Sequence, residues 1–376
     1  MRAIGATAAL AVLLATSGCF QFDVSPKINL GGSGGGGSGK TGGGSNPSQL
    51  PSSGGGSWRD LVTDVVGQTF VGAEHGAVFY AFDTLAYPNQ PVDLTVKLLS
   101  ARDLKAIGGV TVGFYRDEYL AGRVTTGADG VANLRWTPPG RGTYTFHARI
   151  VAVPDESFGE LIQVAPAPLI VSAQSKDTPF AVVDLDHTVV DSSFFRVLLD
   201  GGRPMASSVE VLGRIAQQYA IIYLTHRPDL LTRKSKQWLI ANNYPRGPLL
   251  VSEMKDVLDS GEFKTAKLSE VRKAFPGVAL GIGDKLSDAQ AYVDNGLTAY
   301  LIPHYDDDPD DMRDMARDIR RLRGQGRLQV VAGWREIEQG LFARRQHTPQ
   351  AFATWLDREA DRLEREKRRR DDDDDD

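Results

Sequence analysis

A chain of 376 residues with a formal net charge of −5 has room for two domains plus appendages, and its single cysteine excludes an intramolecular disulfide. Six consecutive aspartates at 371–376 outweigh that net charge by themselves, so the remainder is close to neutral. It lacks the basic stripe interleaved with aromatics that nucleic-acid binding would leave, so no nucleic-acid partner is expected.

Residues 1–19 read as an export leader: Arg2, an apolar stretch over 6–15 too short to span a bilayer, then Thr16-Ser17-Gly18-Cys19. The small residues before Cys19 resemble a bacterial lipobox, with Thr16 where that motif usually has Leu. The resemblance implies lipidation at Cys19 and a mature chain tied to a membrane by lipid rather than spanning it. The expected location is the bacterial cell envelope, at the periplasmic face or the cell surface. Residues 20–57, dominated from Gly31 by Gly, Ser, Pro and Asn, cannot bury a core and are expected to be a flexible tether. Within them, Gly34 to Thr41 fits the spacing of a phosphate-cradling loop. A working loop of that kind joins a buried strand to a helix, and neither flank here has the residues for either.

Across residues 58–172, short alternating runs such as Val92-Asp93-Leu94-Thr95-Val96 and Tyr144-Thr145-Phe146-His147-Ala148 are separated by turn signals, among them Gly127-Ala128-Asp129-Gly130. The pattern predicts an all-β sandwich of about seven strands. The stretch around that turn, followed by Pro139-Gly140 and Tyr144, resembles a bacterial immunoglobulin-like or transthyretin-like module. It carries no catalytic constellation, so a spacer or binding role is expected.

Residues 173–305 alternate apolar strand-like runs with helical patterns, the signature of a parallel sheet built from βαβ units. Strands are expected at 180–185, 220–224, 249–251, 278–282 and 299–302, with helices at 207–218, 228–242, 263–275 and 286–295. Pro228 is expected in the first turn of its helix.

The first of these strands runs into Asp184-Leu185-Asp186-His187-Thr188. It delivers two carboxylates to the carboxyl end of a buried strand, where open α/β sheets bind ligands. Converging carboxylates call for a bound cation, a shared proton or both, and one can attack while the other moves protons. Thr225 ends the second strand, Lys264 lies near the start of a helix with Lys267 one turn on, and Gly283-Asp284 ends a later strand with Asp288 following. A hydroxyl, an ammonium and two acidic pairs at one sheet edge suit phosphoryl transfer: acids for a divalent cation, Lys and Thr for phosphoryl oxygens.

These elements, in this order, resemble the four motifs of the haloacid dehalogenase superfamily. The segment 245–252, Glu262-Phe263-Lys264, Lys267-Leu268, Thr232-Arg233 and Trp238-Leu239 are similar to lipin-type and actin-patch-type phosphatidate phosphatases, a group that often has Asn where Asp284 stands. The resemblance implies a Rossmann-like α/β domain without a cap, preceded by the sandwich, and a Mg²⁺-dependent phosphatase. Asp184 would be the nucleophile and Asp186 the acid/base, with its main-chain carbonyl also facing the metal. Thr188 would shape the turn beside the substrate, Thr225 would bind the phosphoryl group, and Lys264 would neutralise both the phosphoryl group and Asp184. Asp184, Asp186, Asp284 and Asp288 would hold Mg²⁺. Lys267 is the rival of Lys264, and His187 and His226 are candidates for substrate contact. No inserted domain fits between the motifs, which favours large substrates: a lipid phosphate such as phosphatidate first, a phosphoprotein as the alternative. A non-catalytic surface-binding lipoprotein is the reading from a different class.

Residues 306–376 are expected to be C-terminal helices and an acidic tail. The run Asp306 to Asp311 lacks the glycine of a calcium loop, and its acids suit the start of the Arg-rich helix that follows.

Overall fold

A computed structural model describes residues 73–191, 202–252, 260–324 and 326–374. The leader, Cys19 and the tether lie outside the described residues.

The N-terminal described region holds eight strands in two sheets. Strands β1 (Ala77–Phe82), β3 (Val92–Ser100) and β6 (Val131–Trp136) form one, in the order β1-β3-β6. Strands β2 (Thr84–Ala86), β4 (Thr111–Arg116), β5 (Tyr119–Thr125), β7 (Gly142–Ala152) and β8 (Ala167–Ala173) form the other, in the order β2-β8-β7-β4-β5. Alternating residues of both sheets, including Phe79, Leu94, Val96 and Leu98 against Phe114, Phe146, Leu169 and Val171, bury a shared core. The turn before β6 needs its glycine: Gly130 has φ +75°, and a Cβ there would stand 2.4 Å from the Leu98 carbonyl oxygen.

The second region is a six-stranded, all-parallel sheet in the order β11-β10-β9-β12-β13-β14. Its strands are β9 (Phe180–Val183), β10 (Ala220–Pro228), β11 (Leu249–Ser252), β12 (Val278–Gly283), β13 (Thr298–Leu301) and β14 (Leu328–Val330). Helices α1 (Ser208–Ile215), α2 (Thr232–Ala241), α3 (Ser260–Ala274), α4 (Leu286–Asp294), α5 (Pro309–Arg321), α6 (Trp334–Ala343) and α7 (Pro349–Asp374) cover it. One face packs against α3, α4, α5 and α7 through Leu268, Tyr292, Ile319 and Leu356. The other packs against α1, α2 and α6 through Leu212, Leu239 and Trp334. Burial on both faces explains why β9 is four apolar residues in succession.

The order has one reversal. From β9 the chain steps outward through β10 to β11, then returns to place β12 on the opposite side of β9. Such a switch point opens a crevice at the carboxyl ends of the central strands, and Asp184 emerges there.

Two local features differ from the sequence expectation. Strand β14 comes from the C-terminal region expected to be helical, while α5 and α7 complete the core of the parallel sheet. Pro228 ends β10 in extended conformation (φ −57°, ψ 148°) instead of opening a helix, and α2 begins only at Thr232. The cause is tertiary: Asp229 is buried beneath the sandwich, accepting hydrogen bonds from Tyr80 Oη (2.9 Å) and Lys97 Nζ (3.1 Å). Helix α5 starts as expected of its acids, with Asp308 accepting from the N–H groups of Asp310 and Asp311. Two of its arginines are engaged by acids of α7, Arg313 with Asp361 and Glu364, and Arg320 with Asp357.

The sandwich is also joined to the parallel-sheet region by a buried ion pair. Lys236 Nζ of α2 lies 2.6 Å from Asp83 Oδ1 and donates to the carbonyls of Ala81 (2.8 Å) and Pro168 (2.9 Å). Asp83 in turn accepts from Ile170 N in β8 and Leu249 N in β11.

At Gly281 in β12, a Cβ would meet the Tyr292 ring at 2.2 Å. Gly281→Ala should therefore lower the unfolding free energy by about 1–3 kcal/mol, measured by denaturant titration. An unchanged midpoint would show that this strand and α4 pack less closely than described.

Candidate active site

Strand β9 ends by handing its register to the site. Asp184 N donates to the Ile282 carbonyl of β12 (2.9 Å), which fixes Asp184 between the ends of β9 and β12. The chain then turns, with Thr188, Val189 and Val190 all donating to the Leu185 carbonyl, and His187 takes a left-handed φ of +49°. Trp334 Nε1 of α6 donates to the Thr188 carbonyl (2.7 Å) and pins the turn from outside.

Four charged groups converge at the strand ends. Lys264 Nζ, projecting from α3, lies 2.9 Å from Asp184 Oδ2 and 2.6 Å from Asp288 Oδ2. Asp288 sits in the first turn of α4 and Asp284 at the end of β12, so the same βα junction supplies both acids. Gly283 is required for their approach, because a Cβ there would be 2.9 Å from Asp288 Oδ2. Asp184, Lys264, Asp284 and Asp288 are all buried.

Three carboxylates around one ammonium leave an unbalanced negative charge. Burial, reinforced by the charges of Asp184 and Asp288, pushes Asp284 well above the usual carboxylate range. Burial pushes Asp288 up to about 6, with the charge of Asp184 adding to it against the pull of Lys264. Asp184 behaves oppositely: burial works against its charge, yet the Lys264 ammonium holds it below its ordinary value. Lys264, buried but facing these acids, is held well above its own.

The donor set fits a hard divalent cation. One oxygen from each of Asp184, Asp284 and Asp288 falls in a group whose members all lie within 4.8 Å of one another. Asp284 Oδ1 and Asp288 Oδ1 are buried with no hydrogen-bond partner among the described residues, a state that costs free energy unless something positive completes it.

The expected site residues are distributed as follows. Asp184, Lys264, Asp284 and Asp288 form the charged cluster. The Asp186 carboxylate stands apart from it, gripped by Arg227, whose Nε donates to Oδ2 (3.1 Å) and whose second terminal nitrogen donates to Oδ1 (2.6 Å). Thr188 is buried with its hydroxyl unpartnered, and the Thr225 hydroxyl accepts from Arg227 N (3.3 Å). Lys267 is directed away and pairs with Glu270, so Lys264 is the lysine in the site. His187 stacks on His304, with ring centroids 4.2 Å apart, and burial followed by the charge of His304 pulls the His187 imidazole below its ordinary value. His226 lies 5.8 Å from the Phe263 ring.

Arg227 and His304 were not singled out by the motifs. Arg227 carried a usable signal: it stands two residues after Thr225 in an extended strand, hence on the same side. His304 carried none, since only the fold brings the end of β13 beside the turn after β9.

Residues 181–302 match the family model described as PITM 1-3, LNS2 domain. No curated protein matches the chain significantly. Among solved structures, a haloacid dehalogenase-like family hydrolase from Xanthomonas campestris is 20% identical at a TM-score of 0.26, covering 44% of this chain and 61% of that one. A chain of the Pnkp1/Rnl/Hen1 RNA repair complex is 14% identical at 0.31, covering 41% and 57%. The D00-D0 domain of intimin is 15% identical at 0.20, covering 26% and 46%. This chain thus spans roughly half of each of these structures.

A carboxylate raised in the folded state favours the fold only while it keeps its proton. Without metal, stability should therefore fall as pH rises through about 6, where Asp288 ionises. Mg²⁺ should restore it, so the metal-induced shift in melting temperature should grow from about pH 5 to about pH 8. A shift that is flat or absent over that range would contradict the cation assignment.

Proposed function

We propose that the chain is a Mg²⁺-dependent phosphomonoesterase working through an aspartyl-phosphate. The observation that carries this is Lys264 between Asp184 and Asp288. It keeps a buried carboxylate ionised at a strand end, beside two acids with unsatisfied oxygens.

In the first step an Asp184 oxygen attacks phosphorus, the bond from phosphorus to the leaving oxygen breaks, and Asp186 gives that oxygen a proton. In the second, Asp186 takes a proton from water as the water oxygen attacks phosphorus, releasing phosphate and restoring Asp184. Lys264 balances charge on the phosphoryl oxygens, and the Thr188 and Thr225 hydroxyls orient them. A Mg²⁺ held by Asp184, Asp284 and Asp288, with the Asp186 carbonyl as a further ligand, would lower the charge that phosphate brings to this acidic crevice.

For the substrate we propose a lipid phosphate monoester of the phosphatidate kind. Three features support it: the LNS2 match over 181–302, the motif spacing without an inserted cap, and the leader ending at Cys19, whose lipid would hold the chain at a membrane. No helix among the described residues is long and apolar enough to cross one. Cys19→Ser should move the chain from the membrane fraction to the soluble fraction; retention at the membrane would remove the anchor.

Phosphate release should require Mg²⁺, and phosphatidate in mixed micelles should be preferred to a panel of phosphopeptides. Asp184→Asn should reduce turnover by at least about a thousandfold while the chain still melts cooperatively. A well-folded Asp184→Asn chain that keeps its activity would overturn the mechanism, and preference for phosphopeptides would overturn the lipid assignment.

A further inference from the structure

We infer that the N-terminal sandwich positions the acid/base carboxylate of the site, acting through the end of β10 and the turn 229–231 after it; the inference rests on the phosphatase reading above. The path is short and buried. Asp186 is gripped on both oxygens by Arg227, and Arg227 also donates to Ser235 Oγ of α2 (2.9 Å). Two residues beyond Arg227, Asp229 turns into the sandwich. Its Oδ2 accepts from Tyr80 of β1 and Lys97 of β3, while its Oδ1 accepts from Leu230 N (2.9 Å). Leu230 and Leu231 are packed with Val78, Tyr80 and Leu99 of the sandwich. Lys236, next to Ser235, is the residue whose ammonium enters the sandwich to meet Asp83.

Both anchors of Arg227, the loop behind it and the helix beside it, are thus set by sandwich residues. Asp229, Ser235 and Lys236 are nearly inaccessible to solvent, which surface tethering alone would not require. A planar guanidinium holding both oxygens of a carboxylate fixes its orientation and favours its ionised form, so the proton that Asp186 delivers must sit on a lone pair the guanidinium leaves free. General-acid catalysis depends on that orientation, because the proton must lie within hydrogen-bond reach of the leaving oxygen. Tyr80, Lys97 and Asp229 are therefore positioning residues, two of them in the sandwich.

The test separates leaving-group protonation from general stability. In the full chain, Tyr80→Phe with Lys97→Met removes both sandwich donors from Asp229. For an aspartyl-phosphate enzyme, kcat/KM reports steps up to the first departure of the leaving group, where Asp186 gives its proton. An alkyl phosphate needs that proton, whereas a nitrophenyl phosphate leaves as a stable anion. The double variant should lose about tenfold in kcat/KM on the alkyl ester while staying within about twofold on the nitrophenyl ester. Arg227→Lys, which cannot grip both oxygens, should change the same ratio further. Ile150→Val, in the sandwich core on β7 and away from this path, should lower the melting temperature and leave the ratio alone. Parallel losses on both esters, or an unchanged ratio, would overturn the inference. If the double variant does not fold, Lys97→Met alone, at a partly exposed position, gives the same reading. Absence of turnover in the unaltered chain on every monoester would instead remove the phosphatase reading itself.

Discussion

The structure depends on one buried ammonium. Lys264 stands within 2.9 Å of Asp184 and 2.6 Å of Asp288, and all three groups are withdrawn from water. Taking such charges out of water costs several kcal/mol per ion, so a cluster of this kind is a poor way to stabilise a fold. Here the arrangement also leaves an oxygen of a third acid, Asp284, buried without a hydrogen-bond partner among the described residues. The balance makes chemical sense when a divalent cation and a phosphoryl group are added to it: the first supplies positive charge, the second uses it. Asp184 is held below its ordinary value, as the proposed nucleophile has to be, while burial drives Asp284 and Asp288 towards protonation.

Backbone topology puts these charges in one place. The reversal between β11 and β12 leaves β9 flanked by β10 and β12, so Asp184, Thr225 and Asp284 come from three adjacent strand ends. Lys264 reaches them from α3, the connection that makes the reversal. Gly283 supplies the clearance that lets Asp288 fold back over the end of β12. The sandwich then closes on the carboxyl end of β10 through Asp229 and on α2 through Lys236, linking the two halves of the chain beside the strand end that bears Arg227.

Much of this could be read in the sequence where short-range chemistry decides. The four-residue apolar run before Asp184 fits a strand buried on both faces, and the Asp-Leu-Asp-His-Thr that follows marks where carboxylates gather. What the sequence left open was decided by distant partners. Lys264 and Lys267 lie one turn apart on the same helix, and only packing directs one inward and leaves the other to Glu270. Pro228 has every local reason to open a helix, but Asp229 answers to Tyr80 and Lys97, 149 and 132 residues away. Lys236 and Asp83 look like surface charges in their own segments and become a buried pair only when the two regions meet. Strand β14 is three residues long, too brief for alternation to mark.

The central claim is that Asp184 becomes phosphorylated, and the most direct measurement looks for that bond. Asp186→Ala should be mixed with nitrophenyl phosphate and Mg²⁺, quenched in acid and mapped by mass spectrometry. The leaving group needs no proton, while release of phosphate from the intermediate does need the base, so the intermediate should accumulate. The account predicts one phosphoryl group on the peptide containing Asp184, absent when Asp184→Asn is added. Phosphate release with Asp184 unlabelled, or a phosphoryl group on another residue, would contradict it.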